Sequence, residues 1–100
     1  MDFQINGYQL IENCDEAIYA AKTKEDVYQY YIENYGETET SKEQFLNGLF
    51  VYDLSSKDVH KIRDFINDDT GEDYISSYYQ HYKDAAIKDT GCQPVLFMSI

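Results

Sequence analysis

Five carboxylates, Asp64, Asp68, Asp69, Glu72 and Asp73, fall within ten residues that hold no base, and Gly71 stands among them in the stretch NDDTGED. Oxygen ligands at this density can hold a hard cation, start a helix, or present negative charge to a basic surface. The cation reading fails on spacing: an EF-hand loop needs glycine at its sixth position, and placing Gly71 there puts Ile66 where the first Asp ligand belongs. The helix reading accounts for part of the cluster. Thr70 as an N-cap, with Glu72 and Asp73 in the first turn, would complement the positive end of the helix dipole. Asp68 and Asp69 precede that cap and follow Asp64 near the end of another predicted helix, where negative charge is unfavourable. A solvated loop or contact with a basic partner is the role left for them. Glu33, Glu37 and Glu39, around the turn ENYGETE, form a second group of the same kind.

Other reactive side chains are scattered. His60 and His81 belong to separate predicted helices without His-x-x-x-His spacing, so they are expected as surface histidines and no metal site is expected. Cys14 and Cys92 are too few for a disulfide framework and too isolated for zinc, and are expected as free, buried thiols; nothing in the sequence supports a bridge between them. Asp53-Leu54-Ser55 differs from the Asp-Ser-Leu attachment site of acyl carrier proteins by exchange of its last two residues, and Ser55 and Ser56 read as helix caps. The five glycines stand singly, so no phosphate-binding loop is present. With no nucleophile, base or cofactor loop in evidence, no enzyme activity and no cofactor are expected. Eleven tyrosines, no tryptophan, and the run YISSYYQHY load helices with rings on more than one face. Tyr78 and Tyr82, beside the acidic cluster, are expected to receive Lys or Arg through hydroxyl hydrogen bonds and cation–π contact.

These residues need a scaffold of about one domain, because 100 residues can bury one modest core. Asn6-Gly7 between DFQI and YQLIE predicts a hairpin of strands 2–5 and 8–12. Helices are predicted over 14–21, 24–35, 42–52, 56–67 and 72–88 from capping residues and apolar spacing, with Gly36 closing the second. The run PVLFMSI reads as a last strand that can pair with the hairpin. The expected fold is α+β over residues 1–100: a small antiparallel sheet, the N-terminal hairpin plus the C-terminal strand, packed against four to five short helices.

Nineteen acids against eight bases give a net charge of −11, which makes nucleic acid and anionic membrane poor direct partners. No apolar run is long enough to span a bilayer, and MDFQINGYQL has no basic start or apolar run, so a cytoplasmic location is expected. In size, acidity, tyrosine content and lack of catalytic motifs, the whole chain resembles the small phage and mobile-element inhibitors of host nucleases, including anti-CRISPR and antirestriction DNA mimics. The resemblance implies a stoichiometric inhibitor that binds the basic nucleic-acid-binding surface of a CRISPR-type or restriction nuclease in the host bacterial cell. An immunity protein or antitoxin that neutralises a basic toxin would use the same electrostatics. An acidic adaptor subunit would instead use an apolar interface with weak salt dependence.

Overall fold

Ala17–Ala21 is buried at every residue, and this burial sets the architecture. The computed structural model describes residues 3–13, 17–37, 40–67 and 69–97. In it the segment is a strand, β2, and not the end of the helix expected over 14–21, whose residues 14–16 lie outside the described ones. A strand paired on both edges and covered on both faces shows no polar alternation, so its alanines mimic a helix in sequence. β1 (Gln9–Asn13) pairs antiparallel with β2 in the register Leu10↔Ala20 and Ile11↔Tyr19. β3 (Leu49–Val51) takes the other edge of β1, and β6 (Gln93–Phe97) takes the other edge of β2, so the order is β3-β1-β2-β6. The C-terminal run is a strand as expected, but it pairs antiparallel with β2 and not with either strand of the hairpin expected over 2–5 and 8–12.

The two faces of β1 and β2 follow the two-residue period of strands. Leu10, Ile18 and Ala20 pack with Tyr8, Val59, Tyr82, Ala85 and Ala86. Ile11, Ala17, Tyr19 and Ala21 pack with Val27 and Leu49. One face is therefore covered by α1 (Lys24–Tyr35) and the other by α4 (Tyr78–Lys88). Helix α1 matches its expected bounds because both ends are written locally: the Thr23 hydroxyl accepts from Asp26 N–H, and Gly36, at φ 85°, donates to the Ile32 carbonyl.

The remaining helices are shorter than the sequence suggests. α2 (Lys42–Asn47) has the Ser41–Gln44 capping box but ends at Gly48, and β3 occupies the stretch expected as its last turn. Leu49 is buried while Phe50 is exposed, a strand's alternation. α3 (Lys57–His60) is one turn capped by Ser56, and the rest of the helix expected over 56–67 is replaced by β4 (Arg63–Ile66). The helix expected over 72–88 splits into β5 (Asp73–Ser76) and α4, whose N-cap is Ser77, accepting from Gln80 N–H at 3.1 Å. Among the described residues, strands β4 and β5 pair only with each other, as a separate two-stranded sheet.

Asn6-Gly7 does form a turn, with φ of 53° and 78° and a Tyr8 N–H to Ile5 carbonyl bond of 3.0 Å, but residues 3–5 are not a strand. β3 already occupies the edge they would need. Their backbone bonds go to α4 instead: Ile5 N–H donates to the Tyr82 hydroxyl (2.8 Å) and the Tyr79 hydroxyl donates to the Phe3 carbonyl (2.9 Å). The described fold is α+β with a four-stranded antiparallel sheet, a two-stranded sheet and four helices.

Candidate functional site

The described residues of NDDTGED close the β4–β5 hairpin and do not start a helix; Asp73 is already the first residue of β5. Asn67 organises it: its N–H donates to the Glu72 carbonyl (2.8 Å), its carbonyl accepts from Gly71 N–H (2.7 Å), and its side-chain oxygen accepts from Asp69 N–H (2.9 Å) and Thr70 N–H (3.3 Å). Gly71, at φ 74°, takes the left-handed conformation the loop requires. Thr70 is therefore no N-cap; its hydroxyl accepts from Glu72 N–H (3.2 Å) inside the loop.

The register of the hairpin sorts its side chains into two faces. Arg63↔Ser76 and Phe65↔Tyr74 share one face, and Asp64↔Ile75 and Ile66↔Asp73 share the other. The first face packs on α4. The Phe65 ring stacks on Tyr74 (5.5 Å between centroids) and meets the edge of His81 (4.8 Å), and the Tyr74 hydroxyl lies 3.2 Å from His81 Nε2. The Arg63 guanidinium covers the Tyr78 ring at 4.5 Å and donates to Asp58 Oδ1 at 2.7 Å. Burial lowers the His81 pKa below its ordinary value, opposed in part by the Asp84 carboxylate.

The second face is open. Ile66 is 66% exposed and Ile75 is 70% exposed, far from the burial expected of aliphatic side chains in a small domain, and Ile62, just before β4, is also 66% exposed. Asp64, Asp69, Glu72 and Asp73 are all exposed with them. The sequence reading placed these isoleucines on the apolar faces of helices. The signal it passed over is the alternation Asp64-x-Ile66 and Asp73-x-Ile75, which fits a strand with acids and isoleucines in register.

Asp64, Asp69, Glu72 and Asp73 thus come together on one hairpin, whereas Asp68 and Glu39 lie outside the described residues. Glu33 and Glu37 are exposed on α1 and just beyond it. α1 covers the face of the main sheet opposite α4, so the two acidic groups sit on opposite sides of that sheet. The tyrosine expectation needs correction. Tyr82 is fully buried, its hydroxyl donating to the Tyr8 carbonyl (2.6 Å) and accepting from Ile5 N–H, so it presents nothing to a partner. Tyr78 is half-buried and already holds a cation from its own chain, Arg63.

Both histidines are half-buried, not the surface residues expected. The His60 ring stacks on Tyr79 (4.5 Å) and its Nε2 lies 2.7 Å from the Leu54 carbonyl, which can only accept, so that nitrogen carries a proton. No group of three or more His, Cys, Asp or Glu side chains among the described residues is arranged to hold a metal ion. Cys92 is half-buried, and burial, with the Asp26 carboxylate adding to it, pushes its thiol up to about 12; Cys14 lies outside the described residues. Ser55 donates to Asp53 Oδ1 (2.7 Å) in a local turn, which lowers the Asp53 pKa and turns the hydroxyl toward a carboxylate of its own loop. A cleft of about 300 Å³ borders this turn, lined by Phe3, Gln9 and Tyr52 among others. The Tyr52 hydroxyl there donates to Glu12 (2.7 Å), and burial followed by that bond raises its pKa. Among the described residues, no helix is long and apolar enough to cross a membrane.

No protein-family model matches the chain, and neither a curated protein nor a solved structure does.

Proposed function

We propose that the chain is a non-enzymatic inhibitor that binds the basic nucleic-acid-binding surface of a nuclease effector and blocks nucleic-acid binding, in the manner of anti-CRISPR and antirestriction proteins. The observation that carries the reading is the disposition of its charge. Of the fourteen carboxylates among the described residues, thirteen are exposed, and only three of them, Glu25, Asp58 and Asp89, are in ion pairs there. Apart from local hydrogen bonds such as those to Glu33, Asp53 and Asp84, surface charge at this density repels itself in the free protein, a cost that a basic partner would relieve. Such a partner would have grooves lined by Lys and Arg, because a duplex presents one negative charge per roughly 1.7 Å of its axis.

A second reading, a cognate immunity protein, draws on the exposed isoleucines, since a mixed apolar and acidic face suits a shaped protein interface better than bare phosphate mimicry. One experiment separates them. Purified protein is titrated against a panel of purified RNA-guided and restriction nucleases, each with and without its guide or substrate nucleic acid, at several salt concentrations. The inhibitor reading expects binding that nucleic acid displaces, with association slowing as salt screens charges beyond about 8 Å at physiological ionic strength. Binding that nucleic acid leaves untouched would transfer the weight to the immunity reading. Absence of binding across the panel would remove the nuclease target.

A further inference from the structure

We infer that the outer face of the β4–β5 hairpin is the docking surface, and that its occupant is an extended segment of a partner protein in which basic and aliphatic side chains alternate along one face. This deepens the reading of the chain as a binder of basic proteins, and rests on it.

The argument begins with register. The pairs Asp64↔Ile75 and Ile66↔Asp73 place two carboxylates and two isoleucines at the corners of a quadrilateral, acid diagonal to acid. Its sides are roughly 5 Å across the strands and roughly 7 Å along them. A strand laid alongside presents every second side chain to the same face, so Lys or Arg and an aliphatic residue alternating at positions i and i+2 match the pattern in spacing as well as in sign. The opposite face cannot serve, because Phe65, Tyr74 and Arg63 are already packed on Tyr78 and His81.

The backbone adds a second complementarity. Among the described residues β4 and β5 have no other strand partner, so each has one ladder edge that no described strand pairs. The Asn67 N–H to Glu72 carbonyl bond fixes the alternation of the ladder. By that alternation the N–H and C=O groups of Asp64, Ile66, Asp73 and Ile75 point away from the partner strand, toward those edges. The residues with exposed side chains are therefore also the ones whose main chain is offered to an added strand.

Charge selects the occupant. From Asp64 to Tyr82 the chain has no Lys or Arg. Arg63, just before, is engaged by Asp58 and Tyr78. A second copy of the hairpin would bring like charges together, and an edge lined with acids is a known device against self-pairing. A basic strand gains from the same acids, which set orientation and rate, while burial of Ile66 and Ile75 supplies affinity.

The test is an NMR titration of the full ¹⁵N-labelled chain with the peptide Lys-Lys-Val-Lys-Lys-Lys-Val, whose positions 1, 3, 5 and 7 alternate Lys and Val on one strand face, with hepta-lysine as the charge-only probe. The expected result is saturable shift changes centred on the amides of residues 64–66 and 73–75. The alternating peptide should bind roughly tenfold more tightly than hepta-lysine. The double variant Ile66→Thr, Ile75→Thr should erase that difference while leaving the resonances of the main sheet in place, since both side chains are exposed. Equal affinity for the two peptides, shifts centred on α1 or spread over all exposed acids, or no shifts at all would overturn the inference. If nucleases bind and nucleic acid displaces them but the peptide misses the hairpin, the inhibitor reading stands and the docking surface falls. If the peptide docks and no nuclease binds, the reverse holds.

Discussion

Replacing Tyr82 by Phe removes one oxygen atom and tests how the N-terminal segment is held. The hydroxyl bridges two backbone groups more than seventy residues away in sequence, accepting from Ile5 N–H at 2.8 Å and donating to the Tyr8 carbonyl at 2.6 Å. The ring itself is fully buried, and phenylalanine fills the same space, so no cavity is created. What remains is the cost of two unpaired backbone groups, about 1–3 kcal/mol each when buried. Ile5 is half-buried and can recover part of its loss from water, whereas Tyr8 is almost fully enclosed, so a total of about 3 kcal/mol is expected. In a chain of this size each kcal/mol moves the melting temperature by about 4–8 °C, which predicts a fall of about 12–24 °C in a circular-dichroism melt. Hydrogen exchange of the Ile5 amide should accelerate in the same variant. The matched control is Tyr79→Phe, which frees only the part-buried Phe3 carbonyl and should cost less than about 1 kcal/mol. A Tyr82→Phe melting temperature within about 2 °C of the parent would show that these bonds are not what ties residues 3–8 to α4.

Two further outcomes follow from the titrating groups. Because the folded state lowers the His81 pKa below 6.5, the unfolded chain binds more protons in that range, so this residue's contribution favours folding at neutral pH and is lost as pH falls from about 6.5 through the folded value. The stability difference between the parent and His81→Gln should therefore shrink as pH drops from neutral toward 5, measured by urea denaturation; a difference independent of pH would refute the burial of that ring against Phe65 and Tyr74. Cys92, with its thiol pushed up to about 12, holds almost no thiolate at pH 8, so peptide mapping after iodoacetamide treatment should find it unmodified in the folded protein and modified in urea. Rapid labelling of Cys92 in the native state would contradict its burial.

Where a structural feature is settled by neighbours in sequence, the sequence reading and the structure agree. Thr23 with Asp26 and Gly36 bounds α1 on both sides, and Ser41 with Gln44 starts α2 where expected. At Ala17–Ala21, Leu49–Val51, Arg63–Ile66 and Asp73–Ser76, apolar or capping residues suggested helix, but the chain forms strands because pairing is available: β6 and β1, distant in sequence, supply it to Ala17–Ala21 and Leu49–Val51 respectively, and Arg63–Ile66 and Asp73–Ser76 supply it to each other across the loop that Asn67 and Gly71 close. Asn6-Gly7 makes the same point in reverse. The local turn forms as its residues dictate, yet no hairpin follows, because Tyr79 and Tyr82 capture the preceding backbone and β3 fills the edge.

The acidic cluster divides along the same line. Asn67, Thr70 and Gly71 are explained by the loop they build, since their side chains or backbone angles satisfy its hydrogen bonds. Asp64 and Asp73 are not, because in the strands their side chains face solvent next to exposed isoleucines, an arrangement that favours neither strand propensity nor solubility of the apolar groups beside them. A helix reading made Glu72 and Asp73 helpful to the free protein, whereas the hairpin removes that benefit and leaves them exposed on a surface with no base of its own. The residues whose identities the fold does not require are the ones gathered on the open face, and under the docking proposal they are the ones a basic strand would touch.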